Sequence, residues 1–248
     1  MTVSADLDGQ VAIVTGASSG IGRHVCSVLT RNGARVVAAA RRADRLEKLV
    51  ADGAAAVAEQ CDVTDEGDVA SLIAAATRLG GPNIVVNAAG WADDTPALET
   101  SLDTFRRTLE VDLTATFGVA TAAARQMPDG GSIINIASIL GLVGSWPVTQ
   151  AAYCAAKGGV INLTRQLGAE WASKGIRVNA VAPGWFPSEL TDEMFANERS
   201  LKWLKRNTPA GRPGRLEELD GALLLFASPA STFLTGQVLA VDGGWTAR

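Results

Sequence analysis

The chain has 248 residues, 47% of them hydrophobic and 19% charged, which is typical of a folded globular protein and not of a disordered one. A net charge of −4, with Lys and Arg scattered, argues against a nucleic-acid partner. His24 is the only histidine and the three cysteines lack metal-type spacing, so we expect neither a metal site nor a Ser/His/Asp hydrolase. The apolar runs are too short to span a bilayer and the polar start lacks signal-peptide features, so we expect no membrane partner and a cytoplasmic location.

Short β-branched or apolar runs alternate along the chain with longer stretches of helical spacing. The predicted strands are residues 11–15, 34–40, 83–89, 132–138, 176–182 and 237–243, with a weaker one at 54–63. Two intervening helices are expected to end at Gly33 and Gly53, because glycine commonly follows a helix C-terminus. The alternation predicts an α/β single-domain Rossmann fold, a doubly wound seven-stranded parallel sheet spanning residues 1–248.

One region, about residues 184–214, departs from this alternation. It carries several prolines around a predicted helix at residues 189–207. Ligands of doubly wound sheets bind outside the carboxyl ends of the strands. We therefore expect this region to form a substrate lid over that edge of the sheet.

The sequence TGASSGIGR, residues 15–23, stands between the first predicted strand and the first predicted helix. Gly16 allows a tight turn, Gly20 lets a pyrophosphate approach the backbone, and Gly22 lets the helix pack on the sheet. The helix N-terminus then offers free N–H groups to the anion, and the serines add hydroxyl donors. The residues assigned to the dinucleotide here are Gly16, Ser18, Ser19, Gly20, Ile21 and Gly22.

The end of the second predicted strand indicates which dinucleotide is bound. An acidic residue at the position of Ala40 would accept hydrogen bonds from a ribose 2′-hydroxyl and favour NAD(H). Arg41 and Arg42 follow instead, and a guanidinium suits a 2′-phosphate. We therefore expect NADP(H) to be preferred over NAD(H), with Arg41 as the binding residue. The alternative is that both arginines are solvated charges that open the next helix.

Tyr153 is the only tyrosine of the chain, and Lys157 follows it by four residues on a predicted helix, so their side chains share a face. A lysine cation near a phenol lowers the pKa of the phenol from its usual value of about 10 and suits it to exchange a proton with an alcohol or ketone oxygen. Ser138, at the end of the fifth strand, could bond the same oxygen. Taken alone, this spacing is also typical of an exposed pair on a surface helix.

Several further motifs occur in order, each beside a predicted element: NAAG at 87–90, YCAAK at 153–157 and APGW at 182–185. With the glycine loop and Ser138, they resemble the short-chain dehydrogenase/reductase family over essentially the whole chain. The resemblance implies that Tyr153 is the general acid/base. It implies that Lys157 lowers the pKa of Tyr153 and binds the nicotinamide ribose, and that Ser138 orients the substrate carbonyl.

The resemblance also assigns the rest of the cofactor site. Asp62 and Val63 would hold the adenine, and Asn87 would steady the central sheet. The further residues that it places along the cofactor are Asn87, Ala88, Gly90, Pro183, Gly184, Phe186 and Ser188. It implies a homotetramer or homodimer, built partly on helices at residues such as 104–127 and 153–172.

Two positions depart from the family pattern. Asp112, in EVDLTATF, stands where the family usually has an asparagine that helps hold a water connecting the lysine to solvent. An ionised carboxylate accepts hydrogen bonds but does not donate them, and it attracts Lys157, so the proton path is expected to differ. The alternative is that aspartate is tolerated there as a near-isostere of asparagine.

The segment before Tyr153 is about two residues longer than is common in the family, so Trp146 within it is expected to shape the pocket mouth.

The tryptophans bear on the substrate. Trp91, Trp146, Trp185 and Trp203 fall in segments that flank the predicted substrate site, and aromatic walls suit an apolar or ring-bearing substrate. Trp91, Trp146 and Trp185 are the predicted substrate-lining residues; the alternative is that they serve packing or subunit contacts. No cluster of arginines marks a carboxylate or phosphate substrate.

The leading prediction is a reversible NADP(H)-dependent reductase of ketones and dehydrogenase of secondary alcohols, with a small-molecule substrate. A 3-oxoacyl thioester reductase and a sugar or polyol dehydrogenase remain open, although the tryptophans mildly disfavour a sugar. An alternative of another class is an NADP-binding sensor or inactive subunit. Asp112 is the one sequence feature in favour of that alternative.

Overall fold

Parallel strands with apolar side chains on both faces form the centre of the molecule. A computed structural model describes residues 4–247, so residues 1–3 and 248 of the predicted domain lie outside the described residues. Within residues 4–247, seven strands form one sheet in the order β3-β2-β1-β4-β5-β6-β7, and every neighbouring pair is parallel. The strands are β1 (Val11–Thr15), β2 (Arg35–Ala40), β3 (Val57–Gln60), β4 (Ile84–Asn87), β5 (Gly131–Ile136), β6 (Ile176–Pro183) and β7 (Val238–Val241).

Helices connect the strands and cover both faces of the sheet. They are α1 (Gly20–Arg31), α2 (Ala43–Ala51), α3 (Glu66–Arg78), α4 (Leu102–Leu109), α5 (Ala115–Ala124), α6 (Ala151–Trp171), α7 (Asp192–Ala196), α8 (Glu198–Asn207) and α9 (Asp220–Ala227). Gly33 and Gly53 follow the ends of α1 and α2 with φ angles of +97° and +70°. Glycine adopts this left-handed conformation without strain, so the predicted helix ends are confirmed. The described part of the chain contains no helix with the length and apolar character needed to cross a bilayer.

Alternate residues of each strand point to opposite faces, and this divides the core in two. On β1, Ala12 and Val14 belong to a cluster that includes Leu46 and Leu223, from helices α2 and α9. Val11 and Ile13 belong to the opposite cluster, which α3, α5 and α6 cover. Because both faces are buried, the strands need continuous apolar sequence, as predicted for a doubly wound sheet.

The predicted lid differs from its expected form in one respect. The single helix expected at residues 189–207 is two helices, α7 and α8, separated at Asn197. The Asn197 side chain accepts hydrogen bonds from the backbone N–H groups of Arg199 and Ser200, which caps α8 and ends the preceding turn. The spacing of the side chains does not reveal this break, because the Asn197 cap ends the helical hydrogen bonding while the helical spacing of the sequence continues across it.

Two glycines of α6 allow close approach to neighbouring elements. A Cβ on Gly159 would lie 2.7 Å from Leu113 Cδ2. A Cβ on Gly168 would lie 2.5 Å from the backbone nitrogen of Gly236, just before β7. The first neighbour is the end of a flexible side chain, whereas the second is backbone and cannot move alone.

We expect Gly168→Ala to lower the free energy of unfolding by about 1–3 kcal/mol, because the added methyl displaces the backbone of the segment that leads into β7. Gly118→Ala in α5 is the matched control, since a Cβ on Gly118 has no neighbour within 4 Å. That substitution should raise the free energy of unfolding by about 0.5–1 kcal/mol through helix propensity. Urea denaturation followed by circular dichroism measures both, and equal effects of the two substitutions would contradict the packing assigned to Gly168.

Candidate active site

The carboxyl ends of the strands open into one large cavity of about 1140 Å³. The cavity takes its lining mainly from the loops after β1, β2, β3, β4, β5 and β6 and from the lid. Most residues predicted for the site line it. They are Gly16, Ser18, Ser19, Gly20, Ile21, Gly22, Arg41, Asp62, Val63, Ala88, Gly90, Trp91, Ser138, Tyr153, Lys157, Pro183, Gly184, Trp185, Phe186 and Ser188.

Three predicted site residues lie elsewhere. Asn87 is buried and is not part of the cavity lining; its Nδ2 donates to Asn135 Oδ1 at 2.9 Å, so it links β4 to β5. Asp112 is fully buried behind Lys157. Trp146 is 80% exposed and is not part of the cavity lining, in contrast to its expected place at the pocket mouth.

The turn from β1 into the first residues of α1 is folded too tightly for side chains at two of its glycines. A Cβ on Gly16, which has a φ of +66°, would lie 2.6 Å from the backbone oxygen of Ala88. A Cβ on Gly22 would lie 2.4 Å from the backbone oxygen of Gly16. This turn lines the cavity next to the N-terminus of α1, which is an arrangement suited to bind a pyrophosphate.

Polar groups at the end of β2 and β3 form the part of the cavity next to this loop. Asp62 accepts hydrogen bonds from the backbone nitrogen of Thr64 at 3.1 Å and from its hydroxyl at 2.7 Å. These bonds lower the pKa of Asp62 below its usual range, so the group is a carboxylate. Arg41 and Arg42 also line this part, and the Arg42 guanidinium donates to both Ser18 and Ser19.

The lid contributes a residue here that sequence patterns did not reveal. Glu189 forms ion pairs with Arg42 and Arg45 and lines the cavity. The two arginines lie more than 140 positions earlier in the chain. No local signal in the sequence indicates this contact, because it depends on how the lid folds back over the sheet.

At the other end of the cavity, Ser138, Tyr153 and Lys157 come together. Ser138 follows β5, and its side chain caps a short turn by accepting the Leu140 N–H at 3.1 Å. Lys157 is buried, its Nζ lies 5.5 Å from the centroid of the Tyr153 ring, and it donates to the Ile136 carbonyl at 3.1 Å. Helix α6 places the tyrosine and lysine on one face, as their spacing predicts.

The positive charge of Lys157 is balanced by the buried side chain of Asp112. Asp112 lies in a π-helical segment, Glu110–Thr114, which joins α4 to α5. Its Oδ1 is 3.0 Å from Lys157 Nζ, and its Oδ2 accepts the Trp91 N–H at 3.1 Å. A Cβ on Gly90 would lie 2.8 Å from Asp112 Oδ1, so the glycine makes room for the pair.

These contacts set the ionisation of the two groups on α6. Burial alone would lower the pKa of Lys157, but the carboxylate of Asp112 and the Tyr153 phenol outweigh it, so the pKa of Lys157 is raised and the lysine is cationic. Burial raises the pKa of Tyr153; the Lys157 cation opposes that shift and Asp112 adds to it. The net direction for Tyr153 is upward, which corrects the expectation that the lysine brings the phenol below its usual value.

Tryptophans and polar or charged groups also line the cavity. Trp185 lines it, while Trp203 packs edge-on against Trp185 with ring centroids 6.1 Å apart, which ties α8 to the strand ends. Arg107 lies 4.9 Å from the Trp91 ring centroid. Gln150 donates to Asp94 at 2.6 Å, and both residues line the cavity, so it has polar as well as aromatic walls. Across residues 4–247, no group of three or more His, Cys, Asp or Glu side chains is arranged to hold a metal ion.

Comparison with known proteins gives consistent matches over nearly the whole chain. A family profile described as enoyl-(acyl carrier protein) reductase matches residues 16–246. Galactitol 2-dehydrogenase (L-tagatose-forming) of Cereibacter sphaeroides is 40% identical over 244 residues, covering 97% of this chain and 96% of the relative. Cis-4-hydroxycyclohexanecarboxylate dehydrogenase of Sinomonas cyclohexanicum is 41% identical over 245 residues, covering 96% of this chain and 97% of the relative.

Solved structures agree with these matches. A short-chain type dehydrogenase/reductase from Mycobacterium marinum superposes with a TM-score of 0.93 and 37% identity, covering 98% of each chain. Gluconate 5-dehydrogenase from Burkholderia cenocepacia J2315, solved in complex with NADP and tartrate, superposes with a TM-score of 0.92 and 36% identity. That alignment covers 98% of this chain and 97% of the other.

Because Tyr153 is the only tyrosine, ultraviolet absorbance titration measures its ionisation alone. We expect tyrosinate absorbance in the native protein to appear at higher pH than in the same protein unfolded in guanidinium, because burial raises the pKa of Tyr153. Tyr153→Phe is the control and should show no such absorbance change. A native midpoint at or below that of the unfolded chain would mean that the pull of Lys157 outweighs burial.

Proposed function

The chain belongs to the short-chain dehydrogenase/reductase family, and on that premise we propose that it interconverts a secondary alcohol and a ketone with NADP(H), with Tyr153 as general acid/base. The observation that supports this most directly is the convergence of Ser138, Tyr153 and cationic Lys157 at one end of a cavity whose other end is a phosphate-binding loop. The relatives are oxidoreductases that act on CH–OH groups, and this chain is an oxidoreductase of the same kind.

The cofactor end fits NADP(H) on several counts. The bare backbone of the glycine loop admits the pyrophosphate, and Asp62 would hold the adenine end. Ala40 supplies no carboxylate for a ribose hydroxyl, while Arg42 already binds an anionic group, the side chain of Glu189. We propose that Arg41 and Arg42 favour NADP(H) over NAD(H). The solved relative from Burkholderia cenocepacia contains NADP, which supports the use of this cofactor.

The residues around Tyr153 are suited to hold and move one proton. NADP(H) supplies or accepts the hydride when it is bound. In reduction, the protonated Tyr153 hydroxyl would donate its proton to the ketone oxygen while Ser138 bonds the same oxygen. The phenolate left behind lies beside the Lys157 cation, whose charge stabilises it. Because burial raises the pKa of Tyr153, its hydroxyl carries the proton that this step requires.

We propose a ring-bearing or otherwise partly apolar substrate. Trp91 and Trp185 line the cavity together with the apolar side chains of Leu140 and Met194. The relative that acts on cis-4-hydroxycyclohexanecarboxylate supports a ring. Trp146 does not line the cavity of a single chain, so its proposed role requires movement of its loop or a second subunit.

A sugar or polyol is the second candidate substrate. Asp94 and Gln150 are hydrogen-bonded to each other, line the cavity and could bond several hydroxyl groups, which the tryptophans alone did not predict. The galactitol dehydrogenase relative supports this candidate. The family profile described as enoyl-(acyl carrier protein) reductase supports an acyl thioester. Assays with cyclic alcohols, polyols and a 3-oxoacyl thioester would separate the three.

A homotetramer or homodimer and a cytoplasmic location stay predictions. In support of assembly, Phe117 on α5 is 47% exposed within the segment expected to form subunit contacts, and Leu102, at the start of α4 just before that segment, is 69% exposed. Subunits that pack there would remove this apolar surface from water.

We expect Tyr153→Phe to reduce ketone reduction by about 10²–10⁴-fold, because the ring loses the only proton that it can donate. NADPH should still quench tryptophan fluorescence with an unchanged dissociation constant, which separates loss of chemistry from loss of binding. If no ketone of a broad panel gives NADPH oxidation that depends on Tyr153, a sensor or an inactive subunit becomes the better interpretation.

We propose Asp112 as a residue that acts on Tyr153 through Lys157. Asp112→Asn removes the counter-ion of the lysine, so the phenol faces a net positive charge. In the natural protein, Asp112 raises the pKa of Tyr153, and the substitution removes that effect. The rise of kcat with pH in alcohol oxidation that reflects ionisation of Tyr153 should therefore occur at lower pH. A profile of kcat against pH that is the same in Asp112→Asn and the natural protein would support a tolerated near-isostere.

A further inference from the structure

Glu189, on the lid, occupies a site for an anion beside the glycine loop. Its carboxylate accepts two hydrogen bonds from Arg42, with Nη1–Oε1 at 3.1 Å and Nη2–Oε2 at 2.8 Å. Arg45 donates a further bond to Oε1. These hydrogen bonds lower the pKa of Glu189 to about 2, so the group is a carboxylate at any working pH.

The arginine that receives this carboxylate is held in place by the loop. Arg42 Nη2 donates to Ser18 Oγ at 2.8 Å and to Ser19 Oγ at 3.0 Å, and Nε donates to Ser18 Oγ at 3.1 Å. The guanidinium is therefore oriented by the loop that would bind the pyrophosphate. Nη1 contacts neither serine, and Nη1 and Nη2 together hold the carboxylate of Glu189.

A phosphate monoester and a carboxylate make the same forked contact with a guanidinium. The 2′-phosphate of NADP(H) and Glu189 therefore compete for Arg42, because two anions on one guanidinium repel each other. The ribose 2′-hydroxyl of NAD(H) is uncharged and carries no anion to compete for that site. A competitor that opposes one cofactor and not the other changes the ratio of their affinities.

We propose that Glu189 is a cofactor-specificity residue that competes with the 2′-phosphate for Arg42 and so weakens the preference for NADP(H). When the 2′-phosphate takes Arg42, the carboxylate of Glu189 can keep its ion pair with Arg45, so displacing it from Arg42 costs less free energy. The proposal rests on the proposed use of NADP(H). It assigns the 2′-phosphate contact chiefly to Arg42 rather than to Arg41.

The test compares Glu189→Gln with the natural protein by isothermal titration at fixed ionic strength, using NADP⁺, NAD⁺, 2′-AMP and 5′-AMP as ligands. We expect Glu189→Gln to bind NADP⁺ and 2′-AMP about two- to fivefold more tightly, the range expected when an exposed ion pair is removed as competitor. NAD⁺ and 5′-AMP should change by less than about twofold. Because Glu189 is 43% exposed on its side chain, the substitution should leave the melting temperature unchanged.

Glu193→Gln is the matched control. Glu193 also lies in the lid and lines the same cavity, and the substitution changes the net charge equally. It should leave the ratio of NADP⁺ to NAD⁺ affinity unchanged. An equal gain in Glu193→Gln would show a general effect of lid charge and overturn the role assigned to Glu189.

Arg42→Met separates this inference from the proposed function. We expect it to remove the preference for 2′-AMP over 5′-AMP, whereas a preference that survives would place the phosphate on another residue and overturn the inference alone. If the natural protein prefers NADP⁺ but Glu189→Gln leaves that preference unchanged, the inference is also overturned while the proposed cofactor stands. A natural protein that binds NAD⁺ more tightly than NADP⁺ would overturn the proposed preference itself.

Discussion

The parallel pairing of the strands is the constraint on which the rest of the structure depends. Because every strand runs in the same direction, all of their carboxyl ends meet at one edge, and the loops that follow them share one cavity. Residues far apart in the chain, such as Gly16, Ser138 and Pro183, thereby line the same space. The same pairing requires helices on both faces, and the long helix α6 brings Tyr153 and Lys157 to that edge.

A charge buried beside the cavity is the second feature that organises the site. Lys157 is cationic in the interior because Asp112 lies 3.0 Å away, and separating such a pair by removing one partner costs about 3–5 kcal/mol in proteins. The π-helical segment and Gly90 make room for the carboxylate. The pair leaves Tyr153 with less net positive charge nearby than a lysine alone would provide. Stability and acid/base chemistry are therefore linked through one contact.

The lid connects the two ends of the cavity. At its start, Glu189 reaches the arginines beside the glycine loop, and further along Trp203 packs on Trp185 near the substrate end. A change in how Glu189 is held thus acts on the same segment that carries Trp203. Under the proposed competition for Arg42, binding of NADP(H) would therefore act on that segment as well.

The sequence by itself determined the strands, the glycine loop and the Tyr153–Lys157 pair, because these depend on local periodicity, turn chemistry and helix spacing. It also identified Asp112 as unusual, although not its ion pair. Only the tertiary structure decided that Asn87 bonds to Asn135, that Trp146 stands outside the cavity, and that burial outweighs Lys157 at Tyr153. The contact of Glu189 with Arg42 spans 147 positions. Burial and long-range contacts arise from packing between elements, and no spacing along the chain records them.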